Sequence, residues 1–307
     1  MIPAVPAAES QSSHPVLGIT LKLASVVSLA LMAGCVKYLG ADVPPGQTVF
    51  FRGFIAMVVV AVVAWSSGGL GVLKTANWQA HALRSIAGTA SMFCWFTALT
   101  MIPLAEMTAI SFTIPLFLTV LAMLVLGERI HAYRWTALGI GFLGVAVIVA
   151  PQLSADSGSA VGVAIGLASA VLASFALMFL RRMSGSEPVL TITFYFFLTS
   201  SSVGLLSGFF DPWLMPDTSQ WIVLLMIGCF GVLGQLLMTY SYRYAEASML
   251  APLDYVTLLV SVAIGYYVFS EVPVVFTWVG APLVIVAGGI IVWREYVRSR
   301  PVASDIT

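Results

Sequence analysis

Hydrophobic residues fall into ten long runs, each close to the twenty or so residues that a helix needs to cross the hydrocarbon core of a bilayer. The runs are Val16–Leu39, Thr48–Ser66, Leu83–Ile102, Met107–Leu126 and Trp135–Ala150, then Val161–Leu180, Val189–Phe209, Trp221–Tyr240, Ser248–Phe269 and Val274–Trp293. Polar residues are crowded into the gaps, and a short polar stretch, Pro151–Ser159, divides the runs five and five. The pattern predicts an all-α polytopic membrane protein with ten transmembrane helices.

Composition agrees. The chain is 60% hydrophobic and 8% charged, whereas a soluble domain carries roughly a quarter charged residues. Its net charge is zero, and no basic stripe suggests a nucleic-acid partner. Cys35, Cys94 and Cys229 lie singly in apolar runs, and His14, His81 and His131 lie outside or at the edges of such runs. Metal or disulfide spacing is absent, so no cofactor is expected. Residues 1–15 are rich in Pro, Ala and Ser without Lys or Arg. They do not match a signal peptide, which needs a basic region before its apolar core, and are expected to form a disordered tail.

Ten spans place both termini on one side, called side A. Side A collects Lys74, Arg84, Arg129, Arg134, Arg181, Arg182, Arg243, Arg294, Arg298 and Arg300, with Lys22 near it, while side B has Lys37 and Arg52 at span ends. By the positive-inside rule side A is cytoplasmic. The protein is expected in the bacterial inner membrane, with residues 296–307 as a cytoplasmic tail.

The two groups of five resemble each other. Ser270-Glu271 through Trp278 repeats the spacing of Gly127-Glu128 through Trp135; Ala245-Glu246 repeats Ala105-Glu106; Leu-Ala-Ser starts at Leu23 and Leu167; Ala-Leu-Met starts at Ala30 and Ala176; Pro45 matches Pro188. The members of each pair lie 140 to 146 positions apart, in chain order. Repeats 16–150 and 161–295, joined by a linker 151–160, each hold an odd number of spans, so the second must be inverted. Charge agrees: Arg129 and Arg134 become Val272 and Thr277 on side B, and Pro103 becomes Arg243 on side A.

These features resemble the drug/metabolite transporter superfamily, and within it the EamA-type ten-helix carriers, over about residues 16–295. Lys37-Tyr38-Leu39, Phe50-Phe51-Arg52, Ser111 to Phe117 and Pro252-Leu253-Asp254-Tyr255 look like the branch that includes S-adenosylmethionine uptake carriers. Leu253-Asp254 departs from the more basic stretch of that branch. The resemblance implies a central cavity lined by spans 3, 4, 8 and 9, opening alternately to each side.

Several residues are candidates for solute contact. Pro115 and Pro252 interrupt spans 4 and 9, and broken helices at matching places in inverted halves point to a midplane site, although a proline can also only kink a helix. Asp254 is an acid inside span 9, suited to a substrate amine or a coupling proton, or to an interfacial position with access to water. Asp254→Asn is expected to abolish transport and leave folding intact. Lys37 and Arg52 could take a carboxylate or phosphate at the outer mouth, or snorkel to the interface. Trp95, Phe112, Tyr240 and Tyr255 could stack on a flat ring, with packing and the aromatic belt as the alternatives. Glu106, Glu128, Glu246 and Glu271 begin or precede helices and suit caps. Gly139, Gly141, Gly144, Gly280, Gly288 and Gly289 permit close helix contact, within the fold or between copies.

The expected function is secondary transport of a small organic metabolite, with a ring-containing zwitterion such as S-adenosylmethionine as the leading type. An exporter of amino acids and an importer of riboflavin-like metabolites are alternatives, and a membrane enzyme or receptor is a distant one. No nucleotide-binding loop of the Walker type occurs. The partners are the solute and the bilayer, with a coupling proton or counter-substrate, and monomer against homodimer, left open.

Overall fold

Proline and glycine mark the helix boundaries. Pro45 opens α2 (Pro45–Gly68) in its first turn, where its missing N–H would have no partner anyway. Pro103 and Pro188 stand just before α4 (Leu104–Ser111) and α8 (Val189–Ser207). Gly40, at φ 56°, terminates α1 (Pro15–Leu39) in the left-handed conformation that a Cβ disfavours. The other helices are α3 (Trp78–Met101), α5 (Ile114–Leu126), α6 (Ala132–Ala155), α7 (Ser157–Met183), α9 (Thr218–Tyr244), α10 (Val256–Phe269) and α11 (Val275–Ser299). The computed structural model describes residues 15–299 except 41, 76, 127–131, 156, 184–185, 245–249, 251–252 and 255, and no strand occurs among them. The tails at 1–14 and 300–307 lie outside the described residues.

Among the described residues, six helical stretches are long and apolar enough to cross a membrane, and three shorter apolar stretches lie in α6, α10 and α11. α3 is full-length but more polar, because it carries His81, Arg84, Ser85, Thr89 and Ser91. Outside α9, Asp217 accepts from the Gln220 amide (2.8 Å) and the Ser219 hydroxyl (2.8 Å). These bonds hold its carboxyl below the usual carboxylate range.

Two expectations change. Span 4 is two helices: α4 stops at Ser111 and α5 starts at Ile114. The ring of Pro115 cannot supply an amide to the preceding turn, and the Ser174 hydroxyl of α7 donates to the Ile114 carbonyl at the break (2.9 Å). The segment 151–160 is helical on both sides of residue 156, with Pro151 inside α6.

Large apolar residues cover the outside as well as the core. Trp65, Leu205, Leu206, Val268 and Val275 face outward, while Ser25, Ser85, Ser91, Ser174, Ser200 and Ser261 are buried. Lipid solvates the first group, and small hydroxyl residues allow helices to approach closely.

Helix pairing follows the repeat. α1 packs on α9 as α7 packs on α3; α2 on α9 mirrors α8 on α3; α1 on α10 mirrors α7 on α5. α2 pairs with α8 and α6 with α11, so the pseudo-two-fold axis runs between the members of these pairs. Individual bonds obey it. Ser25 Oγ donates to the Gly234 carbonyl (2.7 Å), and Ser91 Oγ donates to the Ser169 carbonyl (2.8 Å). Ser25 and Ser169 are the serines of the two Leu-Ala-Ser motifs, so the same crossing is made twice with the donor exchanged.

Of the two roles open to the glycines, Gly144 and Gly280 take the internal one. A Cβ at Gly144 would lie 2.8 Å from the Gly280 carbonyl oxygen, so backbone meets backbone between α6 and α11. Gly280→Leu is expected to force these helices apart and to abolish the monodisperse peak in fluorescence-detected size-exclusion chromatography.

Candidate functional site

α3 runs through the middle of the bundle, touching α1, α2, α4, α7 and α8. Its inward side chains meet Arg52, which α2 delivers from two turns inside its own start. Arg52 is 8% exposed. Its Nε donates to Met32 Sδ (3.2 Å), and its NH1 to the Met92 thioether. The guanidinium lies 6.0 Å from the Phe96 ring centroid and 5.7 Å from that of Phe197. This corrects the expected position at the outer mouth: α2 begins at Pro45, before its apolar run, so Arg52 lies in the interior.

Phe96 continues the group. Its ring is 5.7 Å from that of Trp95, whose Nε1 donates to Ser111 Oγ (3.0 Å). Ser111 is the last residue of α4 and Phe112 the first of the break. Arg52, Trp95 and the break before Pro115 therefore form one contiguous cluster. The Pro115 side chain itself is exposed, so its part is to end the helix.

Side B is held by a different group. Lys37 Nζ lies 2.7 Å from Glu271 Oε1 and donates to the Ile102 carbonyl (2.8 Å). Glu271 Oε2 accepts from the Leu104 amide (3.0 Å). That amide is an orphan donor at the start of α4, and the residue before it provides no side-chain cap. Glu271 is thus a cap, as its position suggested, but for a helix of the other half. Ser270 turns the chain with φ 56°, and the Glu271 amide returns to the Gly265 carbonyl (2.9 Å), which aims the carboxylate. Lys37 is fully engaged in this clasp between halves.

Near side A, Asp254 lies 2.7 Å from Lys22 Nζ, with Lys22 1% and Asp254 49% exposed in their side chains. The acid expected in span 9 therefore faces a buried cation of α1. Tyr240 is 43% exposed and stands apart from the cluster. Pro252 and Tyr255 lie outside the described residues. A cleft of about 340 Å³ between α3 and α8, lined by Ile86, Phe93, Val203, Leu206 and Phe210 among others, opens outward with an almost entirely apolar lining that suits lipid.

Sequence reasoning missed Arg84, counting it as a loop cation of side A. It lies inside α3, with its guanidinium 4.1 Å from the Phe196 ring centroid. The available signal was the run of His81, Ser85 and Thr89 at four-residue spacing, which marks a buried polar face beside it. Among the described residues no group of His, Cys, Asp and Glu could hold a metal.

Comparison with known proteins bears on this arrangement. The model of the EamA-like transporter family matches residues 16–150 and 160–293. The chain belongs to that family. Its two family domains coincide with the two halves related by the pseudo-two-fold. Relatives include the pseudopaline exporter of Pseudomonas aeruginosa, 30% identical over 270 residues, covering 88% of this chain and 94% of the relative. The S-adenosylmethionine uptake transporter of Rickettsia prowazekii is 28% identical over 282 residues (91% and 93%), and the riboflavin transporter of Vibrio cholerae 28% over 291 (94% and 96%). A solved crystal structure shares the fold with a TM-score of 0.62 at 20% identity, covering 95% of this chain and all of its own. This EamA family member is a multi-pass membrane protein.

Proposed function

We propose that the chain is a bacterial inner-membrane secondary transporter that carries a small organic metabolite by alternating access, with both termini cytoplasmic. The observation that carries this reading is the clasp on side B. Lys37 of one half, Glu271 of the other and the α4 amide tie the two halves together at one face of a bundle whose halves are related by a pseudo-two-fold axis. By the repeat spacing, the counterparts of Lys37, Glu271 and Leu104 are Arg181, Glu128 and Tyr244, at the opposite face. A second clasp from these residues would shut side A when side B opens, and the solute would be held between them near Arg52, Trp95 and the α4–α5 break. Lys and Arg asymmetry supports side A as cytoplasmic.

Relatives named for S-adenosylmethionine uptake, riboflavin transport and pseudopaline export support an organic metabolite of that size, with a ring-containing zwitterion such as S-adenosylmethionine the first to test. Purified protein in liposomes is expected to take up radiolabelled S-adenosylmethionine or riboflavin above empty-liposome background. Absence of flux for these and for a wider metabolite panel, with protein shown to be folded and inserted, would overturn the carrier reading.

A further inference from the structure

Among the described residues, the buried guanidinium of Arg52 and the half-buried one of Arg84 have no counter-charge. Among the described residues, no carboxylate lies within ion-pair distance of Arg52 or Arg84. Arg52 has only two thioethers and two ring faces around it. Arg84 has the Phe196 ring, and its Nε and NH1 are buried with no acceptor. Glu187, the acid just before α8, is already taken: it accepts from Thr75 Oγ1 (2.8 Å) and lies 3.5 Å from His81 Nε2. Two further buried hydroxyls on α3, Ser85 Oγ and Thr89 Oγ1, one turn apart, also lack partners.

The two cations share a support. Phe196 and Phe197 are adjacent on α8 with ring centroids 5.1 Å apart, and Arg84 lies over the first ring and Arg52 over the second. A guanidinium does not give up its proton to relieve burial, and a cation at membrane depth marks a functional site. Sulfur and π faces are weak partners compared with a carboxylate, which a guanidinium grips with two parallel hydrogen bonds. Phe196, partly exposed beside Arg84, offers an aromatic ring for a flat, conjugated body attached to the acid.

We propose that Arg52 and Arg84 form a binding site for the carboxylate of an organic anion or zwitterion, with Phe196 against its ring. The assignment rests on the transporter reading, because it takes this carboxylate to belong to the carried solute. It makes Arg52 and Arg84 the residues that select for acid over amide.

The test uses the full chain purified in detergent, in chloride-free Tris–HEPES buffer, with [14C]benzoate as the probe and neutral benzamide as its isostere. Saturable benzoate binding is expected, with benzamide unable to compete. Arg52→Met and Arg84→Met, each with an unchanged elution profile, are expected to weaken binding at least tenfold. Should either variant fail to fold, the benzoate-against-benzamide comparison on the unaltered chain still decides. No saturable benzoate binding, equal competition by benzamide, or unchanged affinity in both folded variants would overturn the site. So would chloride displacing benzoate at equal concentration, which would mark an inorganic-anion site. Liposome flux separates the two readings: flux without benzoate binding removes only this site, and benzoate binding without flux of any solute removes only the carrier.

Discussion

Glu271→Ala is expected to destabilise the protein by about 2–3 kcal/mol and to loosen side B. Removing one member of a buried ion pair typically costs about 3–5 kcal/mol, because the other charge stays behind. Lys37 and Glu271 are 13% and 21% exposed, so some water relieves the loss and the lower figure applies. Lys37 keeps the Ile102 carbonyl, but the Leu104 amide loses its acceptor. The charge reversal Lys37→Glu with Glu271→Lys separates these contributions. It restores an ion pair but cannot restore the acceptor, since an ammonium has no lone pair for an amide. The reversal is therefore expected to recover only part of the stability in thermal unfolding. Full recovery would show that the cap on α4 contributes nothing.

Asp254→Asn is the second large effect. From sequence the substitution was expected to leave folding intact. The Lys22 contact alters that expectation, since Lys22 is 1% exposed and would lose its carboxylate. A loss of about 2 kcal/mol is expected, below the full value for a buried pair because the Asp254 side chain is half exposed. Lys22→Met combined with Asp254→Asn removes both charges and should regain most of that stability, since an apolar side chain replaces the buried cation and the amide at the half-exposed position 254 keeps its access to water. Flux in liposomes is expected to stay absent in the double variant, which isolates the role of Asp254 in transport from its role in folding. A double variant that transports normally would leave Asp254 with structure alone.

Much of the architecture was legible because a membrane enforces it. Apolar runs of spanning length, an odd number per half and charge that follows the membrane side led to the inverted repeat before any coordinates. The Leu-Ala-Ser match then reappeared as hydrogen bonds from Ser25 and to Ser169. The site was less legible, because partners lie far apart along the chain. Lys37 looked like a cation for solute or for the interface, and nothing local announced Glu271, 234 positions later. Glu271 looked like a cap for its own helix, and only the fold shows that α4 receives it. Arg52 and Arg84 were placed by distance from span ends, but helices α2 and α3 start several residues before their apolar runs, which carries both arginines inward. Glycine composition could not choose between a contact within the chain and one between copies, and the Gly144–Gly280 approach makes the choice.

The exchange of partners between halves also bears on how the protein is made. α1 leaves the ribosome first, yet the groups that satisfy Ser25, Lys37 and Lys22 lie at Gly234, Glu271 and Asp254. For most of translation the first helix sits in the membrane while the acceptor of Ser25 and the carboxylates that face its two lysines are still to be synthesised. Biogenesis must therefore end with a late assembly step in which the last three helices close on the first. A nascent chain halted after residue 150 would lack both carboxylates and the Gly234 carbonyl, and would present Ser25 to lipid and to quality-control proteases.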